Sequence, residues 1–138
     1  MSSGYDNVMD DIAAPHTLHV SRIVDVPALT AAAAFDVVVP HARPTPYAIR
    51  TARSRLALTR WIGIAVEVEL VMWSTRSCEV GLRPDRRVIP FSGGWRHRRY
   101  VRSAELEIDR LAAAIATTVA GWFVAAWTDA PTPSRSAA

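Results

Sequence analysis

The stretch "WIGIAVEVELVMW", residues 61–73, decides how the rest of the chain is read. Ile62, Ile64, Val66, Val68, Leu70 and Met72 fall on one side, with Gly63, Ala65, Glu67 and Glu69 on the other. Successive side chains of an extended chain point to opposite faces, so this alternation over eleven residues predicts a strand with one buried and one wet face. "WSTR" (73–76) supplies a tight connection. "SCEVGLR" (77–83) resumes the alternation with Cys78, Val80 and Leu82 inward, which makes an antiparallel hairpin. "RLALTR" (55–60), just upstream, adds a further short strand.

Toward the N-terminus, "HTLHVSRIVDVP" (16–27) alternates as well, with Leu18, Val20, Val24 and Val26 on one face. Arg22 falls on that apolar face. An inward arginine needs an anion, either a carboxylate of the protein or the head group of a ligand, because an unpaired buried charge is costly. The other readings are a strand-end side chain that snorkels out and a local bulge that reverses the alternation. Pro27 is suited to begin a helix, with Asp25 nearby to serve its free amides. The helix "PALTAAAAFDVVV" should be short, stopped by β-branched residues and Pro40. "PHARPTPYAIR" (40–50), with three prolines, reads as an irregular connection.

Toward the C-terminus, a helix from Val101 to Trp127 would span roughly 40 Å at about 1.5 Å per residue. Val101, Ala104, Ile108, Leu111, Ala112, Ile115, Val119, Trp122, Phe123 and Ala126 form one apolar stripe. Leu111–Trp127 is also a run of 17 uncharged residues, which brushes the lower limit of a membrane span. Seven of them are Ala and the large groups keep to one stripe, which favours packing on a sheet over spanning a bilayer. Residues 1–15 and 128–138 read as disordered tails around one domain at 16–127.

The expected fold class is therefore α+β: an antiparallel sheet, a short helix after the first strand, and a long C-terminal helix packed across the sheet. The strand and Pro-started helix of "HVSRIVDVPALTAAAAFDVV" (19–38), with the closing helix from Tyr100, resemble the START/polyketide-cyclase-like superfamily, whose fold is the helix-grip. That resemblance implies an apolar small molecule or lipid held between sheet and helix. Members usually carry more strands than the interval from Pro40 to Tyr100 can hold, so a reduced sheet implies a small cavity or one completed by a second copy. On this reading the ligand pocket comprises Arg22, Val66, Val68, Leu70, Leu111, Ile115 and Trp122. A homodimer would also cover the edge of a short sheet.

The charges suggest a second function. All 16 basic residues are Arg, with no Lys, a bias that points to GC-rich coding before chemistry. Residues 16–127 hold 15 Arg and 9 acids, and residues 83–102 alone hold 7 Arg and 1 acid, so the whole positive excess sits there. "PFSGGWRHRRYVRSA" (90–104) is its centre. Arg96, Arg98, Arg99 and Arg102 form a candidate surface for an anion, nucleic acid or acidic partner. No RNP, KH, helix-turn-helix or finger pattern accompanies them, and Gly93-Gly94 lacks the Lys-Ser/Thr of a phosphate loop.

Catalytic chemistry finds little footing. Glu67, Glu69 and Glu79 should pair with Arg on neighbouring strands. His16, His19, His41 and His97 lack ligand spacing, and a single cysteine, Cys78, excludes an intramolecular disulfide, so neither metal nor cofactor is expected. A cyclase- or hydrolase-like enzyme remains a third reading without named catalytic residues. The acidic N-terminus lacks a signal-peptide pattern, and a cytoplasmic location is expected.

Overall fold

The computed structural model describes residues 18–85, 87 and 94–129. Five strands, β1 (Val20–Val24), β2 (Arg43–Thr45), β3 (Ala48–Ala57), β4 (Gly63–Met72) and β5 (Cys78–Pro84), form one antiparallel sheet in the order β1-β5-β4-β3-β2. Helix α1 (Ala28–Val38) follows β1, and α2 (Gly94–Asp129) closes the chain. Both helices cover the same face, which gives the α+β architecture that the sequence pattern implies.

β4 follows its alternation: Ile64, Val66, Val68 and Leu70 are buried, while Ile62 and Met72 at its ends are exposed. Its register with β5 sets Val68 opposite Leu82 and Leu70 opposite Val80, so the apolar sets of the two strands coincide. Trp73 and Ser74 donate their amides to the Ser77 carbonyl at 3.0 Å each, closing the hairpin. β3 is longer than the predicted "RLALTR", and pairs with β4 from Gly63 to Leu70. The Pro-rich connection is more ordered than expected, because Arg43–Thr45 forms an edge strand there. Pro44 is tolerated in it because an outer strand leaves one row of amides unpaired.

Pro27 caps α1 through its backbone, accepting the Ala31 amide at 2.8 Å. No side chain caps this helix, so Asp25 does not serve its amides as the sequence had suggested. Ala31, Ala32, Ala34 and Phe35 are buried, and Pro40 follows the last helical turn.

α2 is 36 residues long, about 54 Å, and begins seven residues before the predicted start. Tyr100, Ala104, Ile108, Leu111, Ile115 and Val119 are its buried stripe. The expected continuation through Trp122, Phe123 and Ala126 is not buried, and every residue from Ala120 to Asp129 is exposed. A ten-residue strand spans only about 33 Å, so the last turns of the helix overhang the sheet. By length and composition this helix could also cross a membrane, although Leu111, Ile115 and Val119 are committed to the core. Thr128 and Asp129, placed in the tail by sequence, are helical. The remaining tail residues, His16, Thr17, Arg86 and residues 88–93 lie outside the described residues.

Candidate functional site

The residues expected to bound an internal pocket meet, but as packed core. Val66, Val68, Leu70, Leu111 and Ile115 belong to one hydrophobic cluster, none of them more than 3% exposed. Trp122 lies outside it: one turn beyond Val119, it is 40% exposed. Arg22 does share the helix-covered face, opposite Val80. At the sheet edge it snorkels outward and its Nε donates to Asp109 Oδ1 of α2 at 2.8 Å, with its side chain 40% exposed. The anion Arg22 needs is thus a carboxylate of the protein.

A concavity exists at the margin of that interface. Where β1 ends and the chain turns toward α1, Ile23, Val24 and Val26 face Ala112, Ala116, Val119 and Phe123 across an open groove of about 550 Å³. Its cause is side-chain size. α2 presents alanines at 112, 113, 116 and 120 along this flank, too short to reach the β1 edge. Asp25 is the one charged residue on its wall. Beyond the groove, Phe123, Val124 and Trp127 continue an exposed apolar surface. The sequence pattern assigned several of these residues to the buried stripe, and the run of alanines on one flank was the available signal for a gap.

The uncovered face of the sheet is polar. Arg83 Nη2 bridges Glu67 Oε1 at 3.3 Å and Glu69 Oε2 at 3.2 Å, as the alternation suggested. With Arg43, Thr45, Tyr47 and Thr51 they line a shallow pocket of about 240 Å³. Glu79 is separate and accepts from Ser21 Oγ at 3.3 Å. A Cβ at Gly81 would meet the ring of His19, an exposed side chain that would have to swing aside. The pairing of both carboxylates with one guanidinium makes this a structural network.

Cys78 is fully buried, and desolvation pushes its thiol upward, away from the nucleophilic thiolate. Among the described residues no group of three or more His, Cys, Asp or Glu is placed to hold a metal. The basic segment divides in two. Arg99 Nε donates to the Leu58 carbonyl at 2.7 Å and ties the helix to the β3–β4 hairpin, whereas Arg96, Arg98 and Arg102 are exposed.

Tyr100, beside Arg99, is wholly buried, and desolvation raises its phenol well above its ordinary value of about 10. A raised folded-state value means that its contribution is fully present below the unfolded value and is lost as pH rises through the folded one. Thermal melts at rising alkaline pH should therefore show a loss of stability above about pH 10 that is smaller in Tyr100→Phe. Identical alkaline profiles for the two proteins would contradict this.

No match to the chain was found among family models, curated proteins or solved structures.

Proposed function

We propose that this chain is a non-enzymatic binding protein for an apolar small molecule or lipid, held in the groove between the β1 edge and α2. The observation that carries this reading is the groove itself. Its volume of about 550 Å³ lies within the range of about 300–1,000 Å³ common to ligand pockets. Apolar walls with one carboxylate at Asp25 suit a hydrocarbon chain or a flat apolar ring system. The resemblance to START-like proteins implies the same ligand class. The site differs from the expected one in place: it lies at the edge of the sheet–helix interface, and none of the predicted pocket residues lines it.

Burying an acyl chain against this surface gains about 25 cal/mol per Å² of apolar area removed from water. That gain suffices for useful affinity only if the groove stays open in the free protein, and its alanines keep it so. Ala116→Trp places a large ring on an exposed position of the groove wall without touching the core. Native mass spectrometry with a saturated long-chain fatty acid should show one ligand retained by the parent protein and at least roughly tenfold weaker retention in Ala116→Trp. Equal retention in both, or none in the parent, would remove this reading.

A further inference from the structure

The arginines of this domain divide into two populations. Among the described residues, Arg22, Arg50, Arg53, Arg83 and Arg110 each pair with a carboxylate. Nine other described arginines lack such an ion pair: Arg43, Arg76 and Arg87, which lie elsewhere in the chain, and the six Arg55, Arg60, Arg96, Arg98, Arg99 and Arg102. These six come from two segments that are far apart in sequence but meet in the fold. Arg99 Nε reaches the Leu58 carbonyl at 2.7 Å, and the Leu58 amide in turn donates to Ile62 O at 2.8 Å across the hairpin turn. The turn that carries Arg60 and Trp61 is therefore held against the first turns of α2, which carry Trp95, Arg96 and Arg98.

Aromatic rings accompany the charge. Trp61 is 82% exposed and Trp95 is 48% exposed. Each has a guanidinium beside it: Arg60 lies 5.0 Å from the Trp61 ring centroid, and Arg96 lies 5.7 Å from that of Trp95. Thr59 Oγ1 accepts the amides of Trp61 and Ile62 at 3.2 and 3.0 Å, which fixes the backbone that presents the first ring. Arg55 lies over Gly63, and beside it Thr59, Arg60 and Trp61 line a recess of about 300 Å³. An exposed tryptophan gains nothing from water, and an unpaired guanidinium cluster repels itself. A partner that offers flat π-faces at the spacing of regular negative charges relieves both.

We infer that the β3–β4 hairpin and the start of α2 together form a binding surface for single-stranded nucleic acid. Bases stack on Trp61 and Trp95, and Arg55, Arg60, Arg96, Arg98 and Arg102 hold phosphates. Arg99 is a positioning residue, since it joins the two halves. A duplex keeps its bases stacked on one another and leaves neither ring a face to cover, so the single strand is the preferred form. This site is independent of the apolar groove.

Fluorescence anisotropy with a labelled oligothymidylate of about 12 nucleotides, within the roughly 4–16 that small modules occupy, tests it. Binding should be salt-sensitive, with a slope in log–log form of about −0.7 per phosphate engaged. Arg60→Gln/Arg98→Gln/Arg102→Gln should flatten that slope. Trp61→Ala should weaken binding by about fivefold to more than a hundredfold and leave the slope near its parent value. All substituted residues are exposed, so each variant should fold, and circular dichroism serves as the check. Ala116→Trp should bind the oligonucleotide like the parent, so failure of the groove reading and failure of this one are separable. No binding at low salt overturns the inference. So does equal affinity for a duplex of the same length, or for a polyglutamate peptide with no loss in Trp61→Ala, which would mark a general polyanion surface.

Discussion

Replacing Phe35 with alanine is expected to destabilise the domain by about 3–5 kcal/mol. Phe35 is wholly buried, and the other buried positions of α1 are Ala31, Ala32 and Ala34. This short helix therefore seats itself on the sheet through one large side chain. Alanines have no length with which to fill the vacated space, so the cavity would collapse little, and the cost belongs near the top of the range. A small domain has about 5–15 kcal/mol in total, so the change removes a large share of it. With a urea dependence of about 1–3 kcal/mol per molar, the midpoint should fall by on the order of 2 M. A fall of less than a few tenths molar would mean that α1 is not anchored where Phe35 places it.

Arg83→Met should cost about 1–3 kcal/mol, discounted from the cost of a fully buried pair because the groups retain some solvent. Arg83 serves Glu67 and Glu69 at once, and both carboxylates project from the same face of β4. Without the guanidinium, two like charges lie about 7 Å apart on side chains that are only 18% and 13% exposed. The neutral triple variant Arg83→Met/Glu67→Gln/Glu69→Gln should recover most of the loss. A thermodynamic cycle over these variants separates charge pairing from packing. If the triple variant is as unstable as the single one, the network is not held by charge.

Much of the fold was legible because one-sided burial writes itself into alternation. β4 and β5 show this plainly, since each has a dry face and a wet one. β3 was half hidden. Arg53, Ser54 and Arg55 are all exposed, so its middle carries no apolar signal, and its identity comes from pairing with Glu67, Val66 and Ala65. β2 was hidden by Pro44, which is tolerated only because that strand lies at the sheet edge. The apolar stripe of α2 told which side faces the sheet, but not where the sheet beneath it ends. Trp122, Phe123 and Ala126 keep the period yet overhang the core.

The candidate sites were legible to different degrees for the same reason. Val66, Val68, Leu70, Leu111 and Ile115 were correctly placed facing one another, but periodicity cannot distinguish a packed interface from a hollow one. The groove depends on how far alanine side chains reach toward a strand edge, which is a matter of tertiary distance. The Arg-rich segment was visible in the composition. Its partner hairpin was not, because the Arg99–Leu58 hydrogen bond joins segments that are far apart in sequence.

The central claim is that an apolar ligand lies in the groove and not inside the domain. Methyl NMR spectra recorded while a saturated long-chain fatty acid is added test it directly. The methyl signals of Ile23, Val24, Val26 and Val119 should shift together and saturate, while those of Val66, Val68, Leu70 and Ile115 stay in place. Shifts concentrated in the second set, or no saturable shift in the first, would contradict the account.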